Sequence, residues 1–223
     1  MPTSTHALPP VIELRQYTLH PGRRDELIEL FEREFLFSQQ DCGMRVLGQF
    51  RDLDAPDRFV WLRGFAGMPQ RAQALADFYG GPIWQAHRNA ANATMIDSDD
   101  VLMLRPCVPV ASGAAAGSGR VIATICPLRA PADDALRRQL SELVLPRLAA
   151  AGATPLACLE TEPARNNFPR LPVREGEQVV VWLASVPRDG AWPALDIGAL
   201  LDRWLRDLPT SLHLQATPRS AWR

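Results

Sequence analysis

The chain contains no lysine: all 24 of its basic side chains are arginine. That absence excludes Schiff-base chemistry, a covalently held pyridoxal cofactor and the lysine of a phosphate-binding loop. The Gly-rich stretch from Gly113 to Gly119 is therefore no nucleotide cradle, and its Ala/Ser/Gly composition suits a flexible tether. No Gly-x-Ser-x-Gly elbow is present, and no dinucleotide-type glycine pattern. Cys42, Cys107, Cys126 and Cys158 form no Cys-x-x-Cys, which argues against a zinc knot and fits reduced thiols of small core or loop residues. The four histidines are scattered, with no two at helical ligand spacing, so the sequence calls for no metal and no cofactor. No apolar run approaches the roughly 20 residues of a membrane span, and residues 1–10 lack a signal-peptide pattern, so a cytoplasmic location is expected. With a net charge of −1 and spread arginines, neither nucleic acid nor an acidic membrane is an expected partner.

What is there is a plan written twice. The chain has 223 residues, 47% of them hydrophobic, enough for two small cores. Val11-Ile12 and Val121-Ile122 each open a β-α-β-β-α-β series, which divides the chain into residues 1–110, a linker at 111–119, and a divergent second unit at 120–223. In the first unit the pattern predicts strands over 11–19, 44–51, 59–65 and 101–105, with a helix over 23–38. That helix carries Leu27, Leu30, Phe31 and Phe35 at helical period. Pro69 and Pro82 fit the first turns of two further helices. Asp97, Asp99 and Asp100 read as a turn before the last strand. The second unit predicts strands over 121–128, 155–160, 179–184 and 212–217, with helices over 132–150 and 198–207. Pro146 should kink or shorten the longer helix, which Gly152 ends. Trp61 and Trp182 fall in matching third strands, but the first unit's hairpin turn becomes a long loop, Thr161 to Gln178, in the second.

Each β-α-β-β-α-β unit makes a four-stranded antiparallel sheet with helices on one face and an apolar face left bare. Two tethered units bury those faces by packing sheet against sheet into a barrel with helices outside. The fold class is therefore α+β, in an intrachain version of what is elsewhere a homodimer. A further homo-oligomer stays open.

Glu13-Leu14-Arg15-Gln16-Tyr17-Thr18-Leu19, Gly81-Pro82-Ile83-Trp84, Arg88-Asn89-Ala90-Ala91-Asn92-Ala93 and the run from Asp97 to Pro106 together resemble the NIPSNAP family, as does Asn166 to Glu177. The resemblance covers nearly the whole chain, strongly over 11–106 and thinly beyond Leu183. It implies a ferredoxin-like, dimeric α/β-barrel fold. Its implications for activity are slight, because structural relatives include cofactor-independent oxygenases, haem-related enzymes and proteins with no known chemistry.

On the first strand, side chains alternate, so Glu13, Arg15 and Tyr17 share the face opposite Ile12 and Leu14. With helices over Ile12 and Leu14, the polar set is expected to face the barrel interior, where Glu13 and Arg15 must pair. Ala123, Ile125 and Pro127 align with them in the second unit, so any site is single and asymmetric. The competing reading is a buried pair that only fixes packing. On the helix after Pro82, the residues Trp84, His87, Arg88, Ala91 and Met95 share one face. Glu13 and His87 are the candidates for acid–base work. Arg15, Tyr17, Trp84, His87 and Arg88 are candidate ligand-binding residues, joined by Asn166, Asn167 and Arg170 of the long loop, either a lid or a brace. The expected function is binding of a small apolar or aromatic molecule in an asymmetric barrel pocket. The alternatives are an interaction module with a filled barrel and a cofactor-independent oxygenase, the latter by fold analogy alone.

Overall fold

The computed structural model describes residues 7–110 and 119–223. The tether expected over 111–119 lies, apart from Gly119, outside the described residues. In the first unit β1 (Val11–Leu19) runs antiparallel between β3 (Arg58–Phe65) and β4 (Met95–Pro106), and β2 (Arg45–Asp52) pairs with the other side of β3. The second unit repeats this arrangement with β5 (Arg120–Pro127), β6 (Thr154–Thr161), β7 (Val179–Val186) and β8 (Thr210–Ala216). The two sheets join edge to edge into one closed barrel in the order β1-β3-β2-β8-β5-β7-β6-β4.

The joins are short. β2 meets β8 over three residue pairs and β4 meets β6 over three, against eight for β1 with β3. Flanking chain extends both seams: Trp222 N–H donates to Leu47 O on one side, and Arg174 N–H donates to Val101 O on the other. Glu160 clamps the β4–β6 seam, accepting from Arg105 across it at 2.7 Å and from Arg137 at 2.9 Å.

Outside the first sheet lies one continuous helix: α1 (Arg24–Leu30), a single widened π-type turn (Phe31–Phe35) and α2 (Leu36–Asp41). The helices α3 (Met68–Gly80) and α4 (Pro82–Asn92) follow, each with proline in its first turn, where a missing N–H costs nothing. The second sheet carries α5 (Asp134–Gln139), another π-type turn (Leu140–Val144) and α6 (Leu145–Ala150). Asp133 caps this helix by accepting from Leu136 N–H at 2.7 Å, and Gly152 leaves it at φ +83°. Pro146 does not end the helix as expected. It sits in the first turn of α6, just past the widened turn, where the lost hydrogen bond is absorbed by the change of winding. The last helix, α7 (Ile197–Leu201), is shorter than its pattern suggested. Asp97 to Asp100 belong to β4 and not to a turn: they continue the strand beside Gln16 and Thr18 through a bulged register.

The barrel interior is a single apolar cluster fed by both units, Ile12, Leu14, Phe50 and Leu62 from one and Val121, Leu159, Leu183 and Leu214 from the other. Each such side chain contributes roughly 1.5–3 kcal/mol on burial. This corrects the expected facing of the first strand. Ile12 and Leu14 point into the barrel, while Glu13, Arg15 and Tyr17 point to the helical layer. The physical reason is that the cluster filling the interior is apolar, whereas the helical layer brings Arg71 and Gln39 to meet the charges.

Candidate functional site

Glu13 is completely buried beneath the helices and is gripped from three sides. Its Oε2 accepts from Arg15 Nη1 at 2.7 Å and from Arg63 Nε at 2.8 Å, and its Oε1 accepts from Arg71 Nε at 2.7 Å. Strand pairing explains the first two contacts. Arg15 is two residues along the same face, and Arg63 lies directly across from Glu13 on β3. Arg71 enters from the first turn of α3, two residues after Pro69. Burial alone would hold the Glu13 carboxyl neutral, but the attraction of Arg63, then Arg15 and Arg71, outweighs it and keeps its pKa far below the usual carboxylate range.

The three guanidinium groups are at most 1% exposed, so one carboxylate faces three buried cations. Neutral groups satisfy part of their remaining donor capacity. Tyr17 Oη accepts from Arg15 Nε at 3.0 Å, Gln39 Oε1 accepts from Arg63 Nη1 at 3.1 Å, and Asn166 and Asn167 Oδ1 accept from Arg71 Nη1 at 3.0 and 2.8 Å. Aromatic faces cover the rest: Arg15 lies 5.7 Å and Arg63 5.1 Å from the Trp61 ring centre, and Arg63 lies 5.8 Å from that of Tyr79. The Tyr17 phenol is pushed above its ordinary pKa by burial, so it stays neutral.

Beside this cluster, and separated from its arginines by Tyr17, Gln39, Trp61 and Tyr79, lies an aromatic cavity of about 30 Å³, room for about one water molecule. Tyr17 and Trp61 lie on its sheet side, Phe31 and Phe35 come from the widened turn and Gln39 from α2, and Tyr79, Trp84 and Ala91 close it from outside. The outer wall is held by Ala91, the one fully buried residue of α4, and by Trp84, which packs on Phe35, Phe78 and Tyr79. The long loop seals one edge, with Phe168 stacked on Tyr79 at 6.2 Å and Asn167 Nδ2 donating to Met68 O.

The structure brings Arg15, Tyr17, Asn166 and Asn167 to the charged cluster and Tyr17 and Trp84 to the cavity wall. Ala91 of the expected helix face also lines the cavity, as does Met95, which stands at the start of β4 and not on the helix, because α4 ends at Asn92. His87 is half-buried beside it, 3.5 Å from Glu34 and edge-on to Phe35. Arg88 and Arg170 are exposed to solvent. Arg63 and Arg71, two of the three residues that hold Glu13, escaped the sequence reading. Arg63 had a signal, an arginine inside the otherwise apolar strand Phe59 to Phe65; Arg71, on an ordinary helix, had none.

The asymmetry of the two units holds, with a corrected register. Arg15 pairs with Trp61 and Thr124 pairs with Trp182, so Glu13, Arg15 and Tyr17 correspond to Ile122, Thr124 and Cys126 instead of Ala123, Ile125 and Pro127. The place of Arg63 is taken by Ala184. The cysteines are free, and the fold brings two of them together, with Cys107 Sγ 3.5 Å from Cys158 Sγ. Among the described residues no three His, Cys, Asp or Glu side chains converge as metal ligands would.

Two ferredoxin-like units closed into one barrel, with helices outside, make the single-chain form of the dimeric α/β barrel. Residues 12–109, which make up the first unit, match the model of the NIPSNAP family. An uncharacterised NIPSNAP-like domain protein from Burkholderia xenovorans is 28% identical over 43% of this chain and 84% of its own, with a TM-score of 0.40. Nearly the full length is similar to a proposed monooxygenase from Lactobacillus acidophilus NCFM, with 12% identity, 92% and 93% coverage and a TM-score of 0.57. An anthrone oxidase-like protein matches with 15% identity, 96% and 94% coverage and a TM-score of 0.57. At these identities the two full-length likenesses are likenesses of fold. No curated protein matches the chain.

Proposed function

We propose that this protein binds a small aromatic molecule in the cavity between the first sheet and its helices, with the second unit acting as frame and lid. The observation that carries this reading is the aromatic cavity itself, bounded by Tyr17, Trp61, Tyr79 and Trp84 and backed by buried cations. Pockets of this kind, largely apolar with a few convergent polar groups, are the usual form of ligand sites. As it stands the cavity is too small for a ring, so binding displaces α4 and with it Trp84, which packs on Phe35, Phe78 and Tyr79.

Glu13 serves here as a counter-ion and not as an acid or base. A general base works best with a pKa near the operating pH, and both Glu13 oxygens are committed to arginines that hold it ionised. The four free thiols support a reducing, cytoplasmic setting. Any homo-oligomer must use surfaces other than the barrel seams, which this chain fills with its own strands.

Native mass spectrometry of the purified full chain tests the reading. Co-purifying small molecules, or retention of added aromatic probes, are expected in the wild type and lost in Ala91→Phe, which fills the cavity without touching the arginines. Equal retention by wild type and Ala91→Phe would move the binding elsewhere.

A further inference from the structure

We propose that the occupant of this cavity carries a negative charge, and specifically that it is an aromatic carboxylic acid whose carboxylate is received by the arginine cluster. The inference rests on the cavity reading above and adds the ligand's chemical class.

Its first support is the charge balance. Arg15, Arg63 and Arg71 are each at most 1% exposed, and Glu13 is the one acidic group within their hydrogen-bonding reach among the described residues. Three cations against one anion leave an excess of two positive charges in a site closed to solvent. Tyr17 cannot offset it, because burial keeps its phenol protonated. Asn166, Asn167 and Gln39 contribute oxygen acceptors but no charge. Buried charge is tolerated when it is paired, so this site favours an anion over any neutral occupant.

The second support is unfilled donor capacity. Arg63 Nη2 and Trp61 Nε1 are buried and make no hydrogen bond among the described residues. Trp61 lines the cavity directly, and Arg63 lies on the rings of Trp61 and Tyr79 that form its wall. A water molecule could occupy such donors, yet it would leave the excess charge untouched. A carboxylate answers both deficits, since a guanidinium offers it parallel donors in a matching plane. The aromatic part follows from the remaining walls, Phe31, Phe35 and Trp84 among them.

The test compares acids with their neutral amides on the full chain. Benzoate and 2-naphthoate are titrated by calorimetry beside benzamide and 2-naphthamide, first into the wild type and then into Arg63→Met and Arg15→Met. Each variant leaves Glu13 paired with two arginines, so one of them retaining the fold is enough. In the wild type the better acid should bind at least about tenfold tighter than its amide, the usual scale of a charge-assisted hydrogen bond. The preference should shrink by a similar factor in either variant. Amides binding as well as acids would overturn the charge assignment and leave the aromatic cavity standing. Binding by neither acid nor amide would overturn the cavity reading together with it.

Discussion

Glu13 stands directly across from Arg63 on the neighbouring strand, and the two side chains meet at 2.8 Å on the helix-covered face of the sheet. The pair is the centre of a cluster that also holds Arg15 and Arg71. Replacing the carboxylate removes the one negative charge that the described residues place there. Glu13→Gln keeps the shape but presents an amide N–H₂ to arginine donors and leaves three cations unpaired. A loss of about 3–5 kcal/mol is expected in urea or thermal unfolding, the range for breaking one side of a buried ion pair.

Acid should expose the same dependence. Because the folded-state pKa of Glu13 is depressed, by Arg63 first and Arg15 and Arg71 after it, its ionised form contributes stability above the unfolded value of about 4.3. That contribution is lost as pH falls below this value toward the folded pKa. Stability measured from pH 7 down to pH 3 should therefore decline less in Glu13→Gln than in the wild type. Parallel curves would show that the carboxylate is not held ionised by the cluster.

The β4–β6 seam depends on few strand pairs, and Glu160 bridges it to Arg105 while also holding Arg137. Glu160→Gln should cost about 1–3 kcal/mol, as expected when buried or half-buried donors lose a charged acceptor. Hydrogen exchange should quicken along Leu104 to Pro106 before it does in β1 or β3. An unchanged exchange map would mean that the strand pairs alone hold the seam.

Phe168 is the apolar contact that seats the long loop on Tyr79. Its replacement by alanine should weaken the seal by about 0.5–1.5 kcal/mol, the worth of an aromatic pair beyond area. Limited proteolysis between Pro163 and Arg174 should accelerate, with the barrel otherwise intact. Cleavage at the wild-type rate would assign the hold to the loop's other contacts, those of Asn166, Asn167 and Arg174 among them.

Much of this architecture was legible in the sequence, because it follows from periodicity: the strand order, the helix stripe at Leu27 to Phe35 and the matched Trp61 and Trp182 all stand where alternation put them. The facing of Glu13 was not legible. Alternation says that Glu13, Arg15 and Tyr17 share a side, but which side is buried against what depends on partners distant in sequence, and a one-residue slip exchanges the two faces. The repeated Val-Ile pair suggested one alignment of the units, whereas the pairing of Arg15 with Trp61 and Thr124 with Trp182 fixes another, one residue away. Arg71 was hidden for a related reason. A single arginine on a helix announces nothing until the fold swings that helix over a carboxylate 58 positions earlier.

The widened turn occurs at the same place in both units, Phe31–Phe35 after β1 and Leu140–Val144 after β5. In the first it delivers aromatic rings to a cavity; in the second Leu140 and Val144 simply join an apolar core. The two units therefore share an uncommon irregularity of winding as well as a strand plan, and only the first sets aromatic rings on it beside a cavity.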